Sequence, residues 1–386
     1  MNEDLKKIIW ICLALFPVLE VYALIPGFSL GIFLIILLFP FSYLLYKKVF
    51  NDRDFLYLSI AIILLDIISY IFCAQSYRES SLFWNNLIWF IIFIVILAHY
   101  TSIKVDPIYF KITIFISIIA TIIVYYQSYY FYLKGDIPKF FLPLALKDRT
   151  YDELSINRPF SFFLEPGDYA LFILPVFYYA LTQKKTGLSV FLFSGLLLSQ
   201  SSTALVMGAI IILYSFMNKT MLKQFYILFA SIFVVFIVFK DPITEMLSSS
   251  FKLTQEKFTN AEDNSRLLGN LPVLFSMDLK QLILGLSIGQ YQSFAYYKNI
   301  ISYPFANMIF YTIFNCGLAG LAFIFFYLFR LMSKIKYKGF IIIYLFLSFS
   351  SSLFFNTWMF YLLLFSYAVN SYESQAIDQE ESEVNL

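Results

Sequence analysis

Charge is what this chain has least of. Only 13% of its 386 residues are Asp, Glu, Lys or Arg, about half the share found in a soluble domain, and a water-soluble globule is thereby excluded. The one histidine, His99, sits at a short link between apolar runs, where it reads as a plain interface residue, so no serine of the chain has an adjacent imidazole to activate it. The three cysteines, Cys12, Cys73 and Cys316, lie inside apolar runs without metal-ligand spacing and read as small buried side chains. A net charge of +2 is too small to suggest nucleic acid as a partner.

What the chain has instead is apolar length: 60% hydrophobic and 21% aromatic residues, arranged in runs that approach the ~20 residues needed to cross a bilayer as helix. The runs cover about Ile8–Leu24, Phe28–Tyr46, Phe55–Cys73, Leu82–Ala98 and Ile108–Tyr132. After a wetter segment they resume at about Asp168–Thr182, Leu188–Ser199, Thr203–Met217, Gln224–Phe239 and Pro304–Phe329. Phe340–Asn370 is too long for one upright helix and divides near Ser350-Ser351-Ser352. Leu188–Ser199 and Thr203–Met217 are short, and Gln200-Ser201-Ser202 splits them. The expectation is an all-α polytopic membrane protein of about twelve transmembrane helices, one membrane domain over residues 1–372. The acidic stretch Glu373–Leu386 lacks aromatics and is expected to be a disordered tail.

Charge placement orients the chain. With the N-terminus in the cytoplasm, the short internal links carry Lys6/Lys7, Lys47/Lys48/Arg53, Lys104/Lys111, Lys184/Lys185, Lys219/Lys223 and Arg330/Lys334/Lys336/Lys338. That is the positive-inside pattern, and an even number of spans returns the C-terminus to the cytoplasm. Two external loops are long, about Leu133–Gly167 and about Lys240–Tyr303, and function is expected where the chain is elaborated.

The first loop ends in Asn157-Arg158-Pro159-Phe160-Ser161-Phe162-Phe163-Leu164-Glu165-Pro166-Gly167-Asp168-Tyr169. Pro166 favours a first helical turn, so Glu165 is expected at the N-cap of the sixth span with Asp168 in its first turn. Glu165 thus has two readings, a helix cap or a general base that meets a sugar hydroxyl. Arg158, and Arg266 in the second loop, present fixed forks of donors suited to phosphate; solvated loop charges or lipid-headgroup contacts are the alternative. Ser199–Thr203 either meets a ligand or satisfies helix ends. The external tyrosines Tyr291, Tyr296, Tyr297 and Tyr303 are candidates for stacking on sugars or for a membrane-interface belt. Asp66 and Glu20 read as buried polar contacts. Asp66 would belong to a proton or ion path only if a partner faced it, and the sequence shows none.

Arg158-Pro-Phe-Ser-Phe-Phe-Leu-Glu165-Pro166 resembles the R-x-x-S-x-F-x-E-P stretch of bacterial O-antigen and capsule polymerases, the Wzy-like proteins. Ser199-Gln200-Ser201-Ser202, Asn264-Ser265-Arg266, Leu284-Gly285 to Gly289, and Asn307 with Asn315-Cys316-Gly317 to Gly320 resemble that family's later blocks in the same order. The resemblance covers Asn157 to about Arg330. It implies a GT-C-like fold in the bacterial inner membrane and a glycosyltransferase that passes a growing glycan between undecaprenyl-pyrophosphate-linked units, without cofactor or metal. It further implies catalytic roles for Arg158, Glu165 and Arg266, and substrate contacts by Arg158, Arg266, Asp168, Ser201, Tyr303 and Asn307. The implied partners are the lipid-linked donor and acceptor, membrane lipid, a chain-length regulator and a flippase. The related O-antigen ligases would carry a histidine where this chain has Ala306, which favours polymerase over ligase. A transporter of lipid-linked sugars is the third reading, disfavoured by the lack of an internal repeat.

Overall fold

The computed structural model describes residues 2–25, 28–47, 52–74, 76–146, 158–217, 270–300, 307–350 and 357–384. These form α1 (Asn2–Leu19), a hairpin of β1 (Ala23–Ile25) and β2 (Phe28–Ser29), α2 (Leu30–Tyr46), α3 (Arg53–Phe72), α4 (Ser80–Ser102) and α5 (Pro107–Lys134). Then come α6 (Pro166–Thr182), α7 (Thr186–Leu198), α8 (Ser202–Met217), and the short α9 (Leu271–Phe275), α10 (Leu279–Leu284) and α11 (Tyr291–Tyr297). The last three are α12 (Met308–Lys334), α13 (Gly339–Ser350) and α14 (Thr357–Val384). Among the described residues the protein is all-α apart from the hairpin. Among the described residues, α3, α4, α5 and α12 are each long and apolar enough to cross a membrane.

The chain divides into two compact units. One is Met1–Leu45, Lys104–Thr254 and Leu364–Leu386; the other is Tyr46–Ile103 and Gln255–Leu363. Residues from Glu373, read from composition as a disordered tail, continue α14 to Val384. Ser374–Glu383 holds neither Gly nor Pro, and its Ala, Gln and Glu are strong helix formers.

In the first unit, α6 is the central element. Every residue from Tyr169 to Leu181 is buried, as expected for a helix apolar all round. α5, α7 and α8 pack against it. Gly195 of α7 lets α5 and α6 close up, because a Cβ there would meet Thr121 and the Tyr169 hydroxyl. The hairpin between α1 and α2 is antiparallel, with Ala23 opposite Ser29. Glu20 accepts a hydrogen bond from the Ser29 hydroxyl, so its expected buried polar contact is present.

In the second unit, α3 and α12 lie side by side. At one end Lys334 bridges Asp52 and Asp54 at 2.6 and 2.8 Å. Toward the other end α12 breaks at Gly317, whose φ of 68° and ψ of −174° are not helical. The Phe314 carbonyl accepts instead from the Leu286 N–H at 2.5 Å, in the turn after α10. Gly285 is left-handed as well, with φ of 91°, and a Cβ on it would stand 2.5 Å from the Asn315 carbonyl oxygen.

This close backbone contact yields a paired test. Gly317→Ala should lower stability by about 2–4 kcal/mol, the sum of left-handed strain and a steric clash. Gly187→Ala, where nothing lies within 4 Å of the added methyl, should be neutral or slightly stabilising. Thermal unfolding in one detergent compares the two, and equal midpoints would contradict the reading.

Candidate functional site

The first unit assembles two of the sequence motifs. Arg158 enters on the loop before α6, and its Nη1 donates to the carbonyl of Gln200 at 3.4 Å. Gln200 sits in the turn between α7 and α8, so residues 42 apart in sequence meet here. The Arg158 guanidinium is half-buried. Burial pulls its pKa below the usual arginine value, and the Glu165 carboxylate opposes that shift. Arginine remains charged in either case, so a permanent cation faces this turn.

Glu165 is the N-cap of α6, Pro166 is its first residue and Asp168 lies in its first turn, as the Glu-Pro-Gly-Asp sequence predicts. The Glu165 side chain makes no capping bond to the helix; its carbonyl accepts from the N–H of Asp168 at 3.1 Å. Glu165 thus stands at the N-cap position as expected, where its carboxylate faces the positive end of the helix dipole without a capping hydrogen bond. Ser201 does cap: its Oγ accepts from the N–H of Ala204 at 3.3 Å, in the first turn of α8. Ser199 Oγ returns a hydrogen bond to the carbonyl of Leu196 at 2.7 Å.

What holds the loop is a residue the motif search passed over. Gln127 of α5 is fully buried. Its Oε1 accepts from the N–H groups of Phe160 and Ser161 at 3.0 and 2.7 Å. Its Nε2 donates to the carbonyls of Pro138 and Ser161 at 3.0 and 2.9 Å. One amide thus uses two donors and two acceptor positions on the backbone beside Arg158, its full capacity. Phe160 and Phe163 are buried on either side. The signal was present in the sequence, since a lone amide within an apolar run of spanning length is costly unless it has work to do.

The second unit holds the remaining motif residues. Asn307 caps α12, its side chain accepting from the Phe310 N–H at 3.0 Å. Arg266 and Tyr303 lie outside the described residues. Tyr291 is buried with its ring stacked on Phe314 at 5.6 Å, which removes it from the sugar-stacking candidates; Tyr296 and Tyr297 are exposed. His99, expected at an interface, is fully buried in α4. Asp66, for which the sequence showed no partner, has two: its Oδ1 accepts from the Ser287 hydroxyl and the Ile288 N–H, both at 2.7 Å. Among the described residues no three His, Cys, Asp or Glu side chains converge to hold a metal ion.

No protein-family model, curated protein or solved structure matches this chain.

The role of Gln127 is open to direct test. Gln127→Leu would strand two buried N–H and two carbonyl groups and should cost about 3 kcal/mol or more. Gln127→Glu keeps the acceptor and loses the donors, and should cost less. Chemical denaturation of the two variants measures the order; a Leu variant as stable as the parent would show that the loop is held by other contacts.

Proposed function

We propose that this chain is a polysaccharide polymerase that joins repeat units carried on a lipid pyrophosphate. The proposal includes about twelve spans with a GT-C-like arrangement, a bacterial inner-membrane location and both termini in the cytoplasm. One observation carries most of the support: Arg158 and the Gln200 turn belong to separate motifs of the resemblance, and they meet in one unit beside Glu165.

The chemistry follows from those groups. The acceptor sugar hydroxyl attacks the anomeric carbon of the lipid-linked glycan. A new C–O bond forms, and the bond from that carbon to the pyrophosphate oxygen breaks. The electron pair leaves on the pyrophosphate, where negative charge grows in the transition state. Arg158 is a fixed cation of phosphate-matching shape at this point, and such a group lowers the barrier most when it needs no reorganisation. The hydroxyl proton passes to the Glu165 carboxylate or to the departing phosphate. The energy comes from the glycosyl–pyrophosphate bond, so neither a nucleotide sugar nor a metal is required.

Arg158→Ala should leave the protein in the membrane and lower chain extension by about a hundredfold, the usual loss when one preorganised electrostatic donor is removed. Arg158→Lys keeps the charge without the fork and should fall in between. Product size on gels of lipid-linked and exported glycan reads the outcome. Single repeat units without long chains is the expected pattern. Normal chain lengths would overturn the assignment, and loss of every glycan-bearing product would move it to a ligase.

A further inference from the structure

α10 presents the wrong faces for a helix in water. Leu279 and Ile283 are four residues apart and share one face, and they are 72% and 44% exposed. Gln281, in the same short helix, is turned inward and only 9% exposed. Phe275, at the end of α9, is 80% exposed. A capping box between Asp278 and Gln281 fixes the helix start and holds the Gln281 side chain locally, but it gives no reason for Leu279 and Ile283 to face outward. Asp278 and Lys280 at the helix start are exposed as well. The inner side of the segment is apolar, with Val273 and Leu286 packed into one cluster with Ala74 and Tyr77. Large apolar side chains left outward on a segment that already has an apolar inner side are favoured where the surroundings are hydrocarbon.

The neighbouring helices supply a depth scale. α3 has 20 residues, about 30 Å of helix and the thickness of a hydrocarbon core. Its first turn is fixed at an aqueous boundary by the ion pairs of Asp54 with Lys334 and Arg330. Its other end, Phe72, therefore marks the opposite boundary. Ala74 and Tyr77, in the link after α3, pack with Val273 and Leu286 on either side of α10, and α10 packs on α3, so α10 begins by that boundary. The chain then descends. Ser69 Oγ donates to the Gly285 carbonyl at 2.6 Å, and Asp66 holds Ser287 and Ile288 at 2.7 Å. Asp66 is six residues before the end of α3, about 9 Å below it. α4 repeats the measurement: Gly289 packs on the amide of Asn86, six residues inside the start of that helix.

The turn at the bottom is equipped for such a place. The Gly285 N–H pairs with Gln281, its carbonyl with Ser69, and the Leu286 N–H with Phe314. The N–H of Ile288 pairs with Asp66, and that of Gly289 with the Asn315 side chain at 3.2 Å. Irregular backbone at membrane depth is tolerated only where protein satisfies it in this way. The exposed face of α10 also continues the apolar exteriors of its neighbours, Ile68, Ile71 and Phe72 on α3 and Leu318 on α12, which are 38%, 47%, 57% and 44% exposed.

We infer that Leu271–Gly289 is a re-entrant element whose outer face, Phe275, Leu279 and Ile283, is in contact with lipid acyl chains just below the headgroups. The segment read as part of a long external loop is thus partly a membrane surface. The inference stands apart from the polymerase assignment, because it uses none of the residues given a role in sugar transfer.

The test places a polarity-sensitive fluorophore on Leu279→Cys, with Cys12, Cys73 and Cys316 replaced by alanine, and reconstitutes the protein in phosphatidylcholine nanodiscs. Phe275→Cys is a second attachment point should the first variant fold poorly, Phe72→Cys is the lipid-facing reference and Lys298→Cys the aqueous one. The expected result is a blue-shifted emission, quenched by lipids that carry a nitroxide near the headgroup end of the chain and protected from aqueous iodide, as at Phe72. Quenching by iodide without quenching by the nitroxide lipids would overturn the inference. Protection from both quenchers would overturn it too, since the face would then be covered by protein.

Discussion

A backbone N–H or carbonyl taken out of water must find a partner inside the protein, and that requirement shapes both units more than any single apolar contact. Irregular chain enters each unit beside a long helix, and each time side chains from that helix satisfy it. Gln127 of α5 carries four hydrogen bonds to the backbone around Ser161. Ser69 and Asp66 of α3, with Asn315 of α12, do the same for the turn from Gly285 to Gly289. A single amide or carboxylate fixes several backbone groups at once, so these sites are costly to leave unfilled and hard to replace.

This explains which parts of the fold could be read in advance. The helical runs were legible because apolar length is a local property. Even the break between α7 and α8 at Ser199–Ser201 and the start of α6 at Pro166 follow from local chemistry. Ser69 and Ser287 were not legible as site residues, and Gln127 was legible only as a lone amide without named partners. Each is one polar residue in an apolar run, and its value depends on a partner that only the fold brings near, 221 residues away for Ser287 and Asp66. Tyr291 failed in the opposite way: an exposed loop tyrosine and a buried one look alike until the ring is seen against Phe314.

The two glycines at the α12 break connect these observations. Phe314 would offer its carbonyl to the next turn of a continuous helix, and the break at Gly317 releases it for Leu286. Gly285 and Gly317 allow the two backbones to approach because neither carries a Cβ. The glycine spacing seen in the sequence is therefore explained by packing in this unit. It gives no separate argument for substrate contact, and the weight of the functional assignment falls on the first unit.

There, the backbone itself adds an argument. Ser161 and Gln200 both adopt left-handed conformations, with φ of 62° and 51°, at a cost of roughly 1–3 kcal/mol each for residues with a side chain. Such strain persists only where surrounding contacts over-determine it. Gln127 does this for Ser161 from both sides, and the abutting ends of α7 and α8 do it for Gln200. Of the two strained residues, Ser161 lies three positions along the chain from Arg158 and Gln200 accepts the hydrogen bond of its guanidinium. A loop needed only as a connection could relax both at no loss. Retaining them holds Arg158 in place, and for the polymerase proposed above a cation already in place is what transition-state stabilisation would require of a leaving-group partner.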